Sequence, residues 1–401
     1  MRAFIFGLLV AAGLMWWLGG SGGDAKVAPS TPPSSPATLD GVLGSSEGAA
    51  PSLSAGSPAG SPAGGAASSP AGGAGPQPVA GLEQILEAVG QRQAAAISRA
   101  FAWIPSAAAA DRQRLVAALQ PSSEDFEALL GGLGEDNGFL HSAEGRGIAS
   151  KVAAAAMALS DNLAITAGTR LLNLTLRGHI TREDAAARAF VDDVYRQYRI
   201  RVDRWLCDPT NVAGARSHTV AKGEPLARIA AKFRKEGIKV EDGTLAVLNR
   251  IANPNSIQPG QKLKVPVAPL RAVLEKRSFS LAVYVGEDLL RVYWVGHGEH
   301  DRTPVTEFVV DEKQPQPSWT SPDGQVYGYG HPKNILGEYF IKLRHSTYSG
   351  FGAHGTPEPS TICTMSSMGC IRMLAPDIAD LFVILPRGCT VTVRASESMR
   401  R

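Results

Sequence analysis

From Ser21 to about Pro78 the chain consists almost wholly of Gly, Ala, Ser and Pro, and a tract of this composition cannot join a folded core. It contains no aromatic residue and few branched apolar ones. Burial could not offset the entropy of ordering it. Near-repeats, Gly-Ser-Pro-Ala-Gly at Gly56–Gly60 and again at Gly60–Gly64, mark it as a flexible tether. Its r.m.s. reach is on the order of 45 Å. Fully extended it would span roughly 200 Å. Folding is therefore confined to what lies on either side, and the part that follows is long enough for two or three domains.

Before the tether lies an uncharged apolar run from Ala3 to Gly20, preceded by Arg2 and carrying Trp16 and Trp17 near its far end. Eighteen helical residues span roughly 27 Å, close to the ~30 Å hydrocarbon core of a bilayer. Arg2 stays inside by the positive-inside bias, and paired tryptophans suit the opposite interface. Residues 1–20 thus read as a transmembrane anchor or a signal sequence. The anchor is favoured, because the run exceeds a usual signal core and no clear Ala-x-Ala site follows it. Either way the bulk of the chain is expected outside the cytoplasm, periplasmic or facing the wall, and secreted if the N-terminus is cleaved.

Lys and Arg number 40 against 37 Asp and Glu, a net charge of +3, which gives no electrostatic footprint for nucleic acid. The four cysteines, Cys207, Cys363, Cys370 and Cys389, are too sparse for a disulfide scaffold. The histidines show no metal-ligand spacing, so neither metal nor cofactor is expected.

Residues 81–210 read as helical. Leu82, Ile85, Leu86 and Val89 recur at helical spacing, and Thr181 to Asp184 resembles a capping box before Ala185 to Leu206. The segment matches no recognised family, and the reading is a helical spacer or a domain that docks a protein partner.

Residues 216–267 follow a strand, helix, helix, strand order. Thr219-Val220, Lys222-Gly223, Leu226, Ile229-Ala230, Asn249, Pro254 to Ile257 and Pro259 to Leu263 resemble the lysin motif (LysM) family. The resemblance implies binding of N-acetylglucosamine-containing glycan strands by two loops, through Gly223, Glu224 and Leu226 in one and Asn253, Asn255 and Ile257 in the other. The longer link from Lys235 to Gly243 is expected to leave that groove alone.

Residues 270–395 are rich in β-branched and aromatic runs. Ser280 to Val285 and Leu289 to Val295, separated by Gly286-Glu287-Asp288, predict a hairpin. The chemistry concentrates in His354-Gly355-Thr356 and in Ser366-Ser367-Met368-Gly369-Cys370-Ile371-Arg372-Met373. A thiol of pKa ~8.5 needs a neighbouring histidine to act as a nucleophile near neutrality. Gly369 permits a tight bend, and amides beside Cys370 are then free to form an oxyanion hole.

These blocks resemble the L,D-transpeptidase family, as do Thr303-Pro304-Val305-Thr306-Glu307-Phe308, Trp319 with Pro322-Asp323-Gly324, and Asn334 to Gly337. The resemblance implies acyl transfer on peptidoglycan peptide stems. Cys370 would be the nucleophile, His354 the base, and the Gly355 carbonyl the group that holds the imidazole tautomer. Gly369 and Ser367 would shape the loop or oxyanion hole, and Arg372 and Thr356 would contact substrate. Arg372 reads first as a structural salt bridge and second as a carboxylate anchor. Members usually carry His immediately before the Gly-Cys pair, where this chain has Met368. An L,D-carboxypeptidase, or an inactive peptidoglycan-binding scaffold, are the alternatives. The implied architecture is multidomain: transmembrane helix, disordered tether, all-α domain of unknown family, small βααβ LysM domain and mainly β catalytic domain.

Overall fold

The computed structural model describes residues 82–91, 111, 114 and 142–395. The anchor at 1–20, the tether at 21–80 and much of the first half of the helical region lie outside the described residues. Helix α1 (Leu82–Gly90) is followed by α2 (Ala143–Met157), α3 (Asp161–Leu176) and α4 (Ala185–Arg201), the last continued by a wider turn to Leu206. Then come β1 (Ala215–Thr219), α5 (Leu226–Lys235), α6 (Asp242–Leu248) and β2 (Lys262–Pro266). The C-terminal part holds β3 (Leu270–Glu275), β4 (Ser280–Val285), β5 (Asp288–Gly298), β6 (Glu307–Pro315), β7 (Trp319–Thr320), β8 (Val326–Tyr327), β9 (Tyr339–Arg344), β10 (Phe351–Gly355), β11 (Met365–Ser367), β12 (Ile371–Met373), α7 (Ala375–Ile384) and β13 (Thr390–Arg394).

The large sheet runs β11-β5-β12-β10-β9-β6-β13-β3-β4, and β4 pairs again with β5, closing a barrel. The expected hairpin is β4–β5, with Val285 opposite Asp288. Strand composition tracks what covers each strand. In β6 and β9 buried and accessible positions largely alternate, the mark of one face in the core and one in water. In β3 and β4 nearly every residue is buried. The reason is the helical region, which lies against this side of the barrel. Tyr198 on α4 donates to the Leu289 carbonyl at 2.6 Å, and Thr169 on α3 accepts the Leu289 amide at 3.1 Å. Tyr284 donates to Asn173 at 2.5 Å, and Trp294 to Asp192 at 2.7 Å. One hydrophobic core runs unbroken from Ile85 and Leu171 to Val283 and Leu290. The described helices are therefore not a free spacer. They form the outer wall of the barrel.

The small βααβ unit has its own core, built on Leu226, Ile229, Ala230 and Phe233, spaced i, i+3, i+4 and i+7 along α5. Its longer inter-helix link, from Lys235 to Gly243, holds it to the barrel. Glu241 pairs with Lys313 on β6 at 2.6 Å and with Arg387 at 3.1 Å. Thr244 donates to the Ile384 carbonyl at 2.9 Å. Gly243 approaches α7 so closely that a Cβ there would lie 2.5 Å from the Val383 carbonyl oxygen. Burial works to raise the Glu241 carboxyl, but Lys313 and Arg387 outweigh it and hold it below its ordinary value.

Glu241→Gln should leave Lys313, whose side chain is 4% exposed, as an uncompensated buried charge. The expected loss is about 3–5 kcal/mol. A thermal melt unchanged from the parent would contradict the buried clamp.

Candidate active site

The barrel's parallel pairing of β10 with β12 assembles the site. Ala353 stands opposite Ile371, His354 opposite Arg372 and Gly355 opposite Met373. Ala353, Ile371 and Met373 belong to the core. Alternation then sends His354 and Arg372 to the opposite face. Extending the register by one residue brings Cys370 level with Gly352, on that same face. Two residues along and one strand across is a Cα separation on the order of 8 Å, within reach of an imidazole and a thiol that face each other.

His354 is 2% exposed. Its Nδ1 donates to the Gly355 carbonyl at 2.5 Å, the role expected for that carbonyl. A carbonyl can only accept, so the ring proton sits on Nδ1 and Nε2 is left as the basic nitrogen. Burial, reinforced by the Arg372 cation, pushes the imidazole down to about 4. Cys370 donates through Sγ to the Gly350 carbonyl at 3.6 Å. Burial raises its thiol, while the Gly352 amide and Arg372 pull it back. The resting pair is thus a neutral thiol and a neutral imidazole. Cys207, Cys363 and Cys389 are buried free thiols; burial pushes Cys363 up to about 11 and Cys389 up to about 12. Neither is suited to form a thiolate.

The turn before Cys370 is held from inside. Ser367 Oγ donates to the Cys370 carbonyl at 2.6 Å and accepts the Gly369 amide at 3.1 Å. Ser367 is therefore a loop-shaping residue, and the Gly369 amide is not free for an oxyanion. Gly369 is needed for its backbone: φ is +137°, and a Cβ would lie 2.7 Å from the Phe351 ring. Met368, at 58% exposure, is turned largely to solvent.

Two expectations are corrected. Arg372 makes no ion pair among the described residues; its guanidinium reaches only Ser366 Oγ at 3.4 Å, because its neighbours on this face are the neutral His354 and Cys370. The Thr356 hydroxyl is committed to its own turn, bonding Thr361 and the Glu358 carbonyl and amide at 3.1–3.2 Å. Thr356 reaches the site only as a wall of a small cavity of ≈ 120 Å³, shared with Asn334, Gly337, Glu338, Gly355 and Ile378. Asn334 lies in one of the blocks that carry the resemblance, yet its residue type alone points to no role in the site. Its amide donates to the Pro317, Tyr327 and Gly328 carbonyls, fastening the β7–β8 hairpin to the segment whose Gly337 lies against Gly355. Thr303, in the Thr-Pro stretch, is a further such residue: its hydroxyl donates to the Gly369 carbonyl at 2.8 Å.

In the small unit, β1 and β2 pair antiparallel with Thr219 opposite Lys262, so the loop leaving β1 and the loop entering β2 share one end. Gly223, Asn253 and Asn255 are exposed there. Leu226 is not available to a glycan, being a core residue at the start of α5, and Ile257 packs partly against that core. The Glu224 carboxylate is turned inward, accepting the Ala221 amide and bonding His218 Nε2, each at 2.9 Å. The Asn253 side chain caps the Asn255 amide at 2.9 Å.

Residues 270–393 match the family model described as the YkuD L,D-transpeptidase catalytic domain, and 218–266 match that of the LysM domain. Proteins named "Putative L,D-transpeptidase YkuD" are similar to this chain in two Bacillus species. The one from Bacillus licheniformis is 30% identical over 183 residues, covering 44% of this chain and 97% of the relative. The one from Bacillus subtilis is 28% identical over 187 residues, covering 44% and 98%. Among solved structures, an L,D-transpeptidase from Mycobacterium smegmatis aligns at 19% identity and TM-score 0.27, over 34% of this chain and 64% of that one.

Denaturant unfolding can separate the two residues that precede the thiol. Gly369→Ala should lose about 1–3 kcal/mol through its backbone conformation and the Phe351 contact. Met368→Ala should stay within about 0.5 kcal/mol. Equal losses would mean that the turn is held otherwise.

Proposed function

Because the chain belongs to the L,D-transpeptidase family, carrying the YkuD catalytic domain behind a LysM domain, we propose that Cys370 and His354 cut and rejoin peptidoglycan stems. The enzyme is a peptidoglycan L,D-transpeptidase. The observation that carries the residue assignment is that His354, with its proton held on Nδ1, shares one face with the Cys370 thiol.

In this reading the thiol proton passes to His354 Nε2 as Sγ bonds to the carbonyl carbon of the third residue of a tetrapeptide stem. The negative charge gathers on the carbonyl oxygen. Collapse breaks the C–N bond, and the departing D-alanine amine takes the proton from His354. A thioester remains. A side-chain amine of a second stem attacks it, giving its proton to His354, and the thiolate leaves and is reprotonated. Arg372, without a carboxylate of its own, is the candidate anchor for a substrate carboxylate. Exposure of Met368 weighs against the inactive-scaffold reading, since the hydrogen bonds that set the turn before Cys370 come from Ser367 and Thr303. The exposed Gly223 and Asn255 would meet the glycan strand. Rigid attachment of the LysM unit through Glu241 would keep stems concentrated near the thiol. Export through the apolar run at 3–20 belongs to the same proposal.

Intact mass spectrometry after incubation with a carbapenem, a ring-strained acyl donor, tests the nucleophile. One drug mass should be gained and should be lost in Cys370→Ala; an adduct that persists in that variant removes Cys370 from the role.

The acid limb of acylation should fall near pH 4, where His354 takes up its proton, in place of the 6.5 of an unburied imidazole. Below that limb the rate drops about tenfold per pH unit. Arg372→Gln removes a cation that opposes protonation, so its limb should move to higher pH. A parent limb at 6.5 in the pH–rate profile would exclude buried His354 as the base.

A further inference from the structure

Thr303 lies between β5 and β6, far in sequence from Cys370, and is 2% exposed. Its Oγ1 accepts the Gly298 amide at 2.8 Å and donates to the Gly369 carbonyl at 2.8 Å. A hydroxyl has one proton, so accepting from Gly298 directs that proton to Gly369. Thr303 is itself fixed, since Lys276 Nζ donates to its backbone carbonyl at 2.6 Å.

The Gly369 carbonyl and the Cys370 amide belong to one planar trans peptide, so they point in opposite directions. With the carbonyl drawn inward to Thr303, the Cys370 N–H is turned away from it. No described residue accepts from that N–H. The neighbouring Gly369 amide, by contrast, is spent on Ser367. A glycine at φ +137° also leaves the following peptide free to rotate, so something must select one orientation. Thr303 makes the bond that does so.

We propose that Thr303 is a positioning residue: by pinning the Gly369 carbonyl it aims the Cys370 amide at the oxyanion formed on acyl transfer. The inference rests on Cys370 being the nucleophile. It separates oxyanion stabilisation, which needs the oriented peptide, from thiol reactivity, which does not. Alkylation by iodoacetamide is a displacement at carbon that develops no oxyanion, and the other described thiols are buried, so it reads Cys370 alone.

The test compares carbapenem acylation, followed by intact mass, with iodoacetamide alkylation in the full chain. Thr303→Val keeps the shape and removes the hydroxyl; Thr303→Ser restores it. Acylation should fall about 10²- to 10³-fold in the valine variant, the effect of losing one oxyanion donor. Alkylation should stay within about twofold, and serine should recover most of the acylation. Thermal melting checks the fold, and if the valine variant melts early, Thr303→Ala carries the same comparison. Parent-like acylation without the hydroxyl would overturn the proposal. So would acylation and alkylation falling together without rescue by serine, which is the pattern of a merely structural role. An adduct persisting in Cys370→Ala would instead remove the nucleophile assignment, and this inference with it.

Discussion

The site depends on one pairing, the parallel ladder of β10 with β12. Parallel neighbours place residues of equal level on the same face, so His354, Arg372 and the position of Cys370 are aligned by the backbone before any side-chain contact forms. A one-residue slip would send the histidine into the core and Ala353 toward the thiol. Closure of the barrel guards against such a slip, because both strands are held between fixed neighbours, β9 on one side and β5 on the other.

Burial then sets the chemistry. The same low-polarity surroundings push the imidazole down and the thiol up, so both are neutral at rest. A neutral pair must move its proton during attack, which places a premium on the tautomer held by the Gly355 carbonyl. It also makes attack create two new charges at once, an imidazolium at His354 and an oxyanion on the substrate, and backbone orientation is the means of meeting the second.

What surrounds the barrel is part of the same construction. Helices α3 and α4 cover strands that would otherwise expose a second apolar face, and the hydroxyls of Thr169 and Tyr198 satisfy the Leu289 backbone at that junction. On another side Glu241 joins the small βααβ unit to β6 and to Arg387, in the turn between α7 and β13. A carboxylate in that setting is tolerable only because two cations meet it.

Much was legible in the chain itself. Period-2 and period-3.6 patterns marked the hairpin of β4 with β5 and the buried stripe of α5. Residue chemistry singled out Cys370, His354 and Gly369, since a thiol nucleophile needs a base and a turn. These are local properties, each written in a short stretch of sequence. Tertiary structure decided the rest. Leu226 proved to be core, and Glu224 and the Thr356 hydroxyl were spent on their own turns, because a side chain's availability depends on what folds against it. The Lys235–Gly243 link became a clamp because α7, more than a hundred residues later, comes to lie beside it. Thr303 acquired its place only when barrel closure brought the β5–β6 connection beside the turn at Gly369. A hydrogen bond across sixty-six positions leaves no periodicity to read, and only the folded backbone states it.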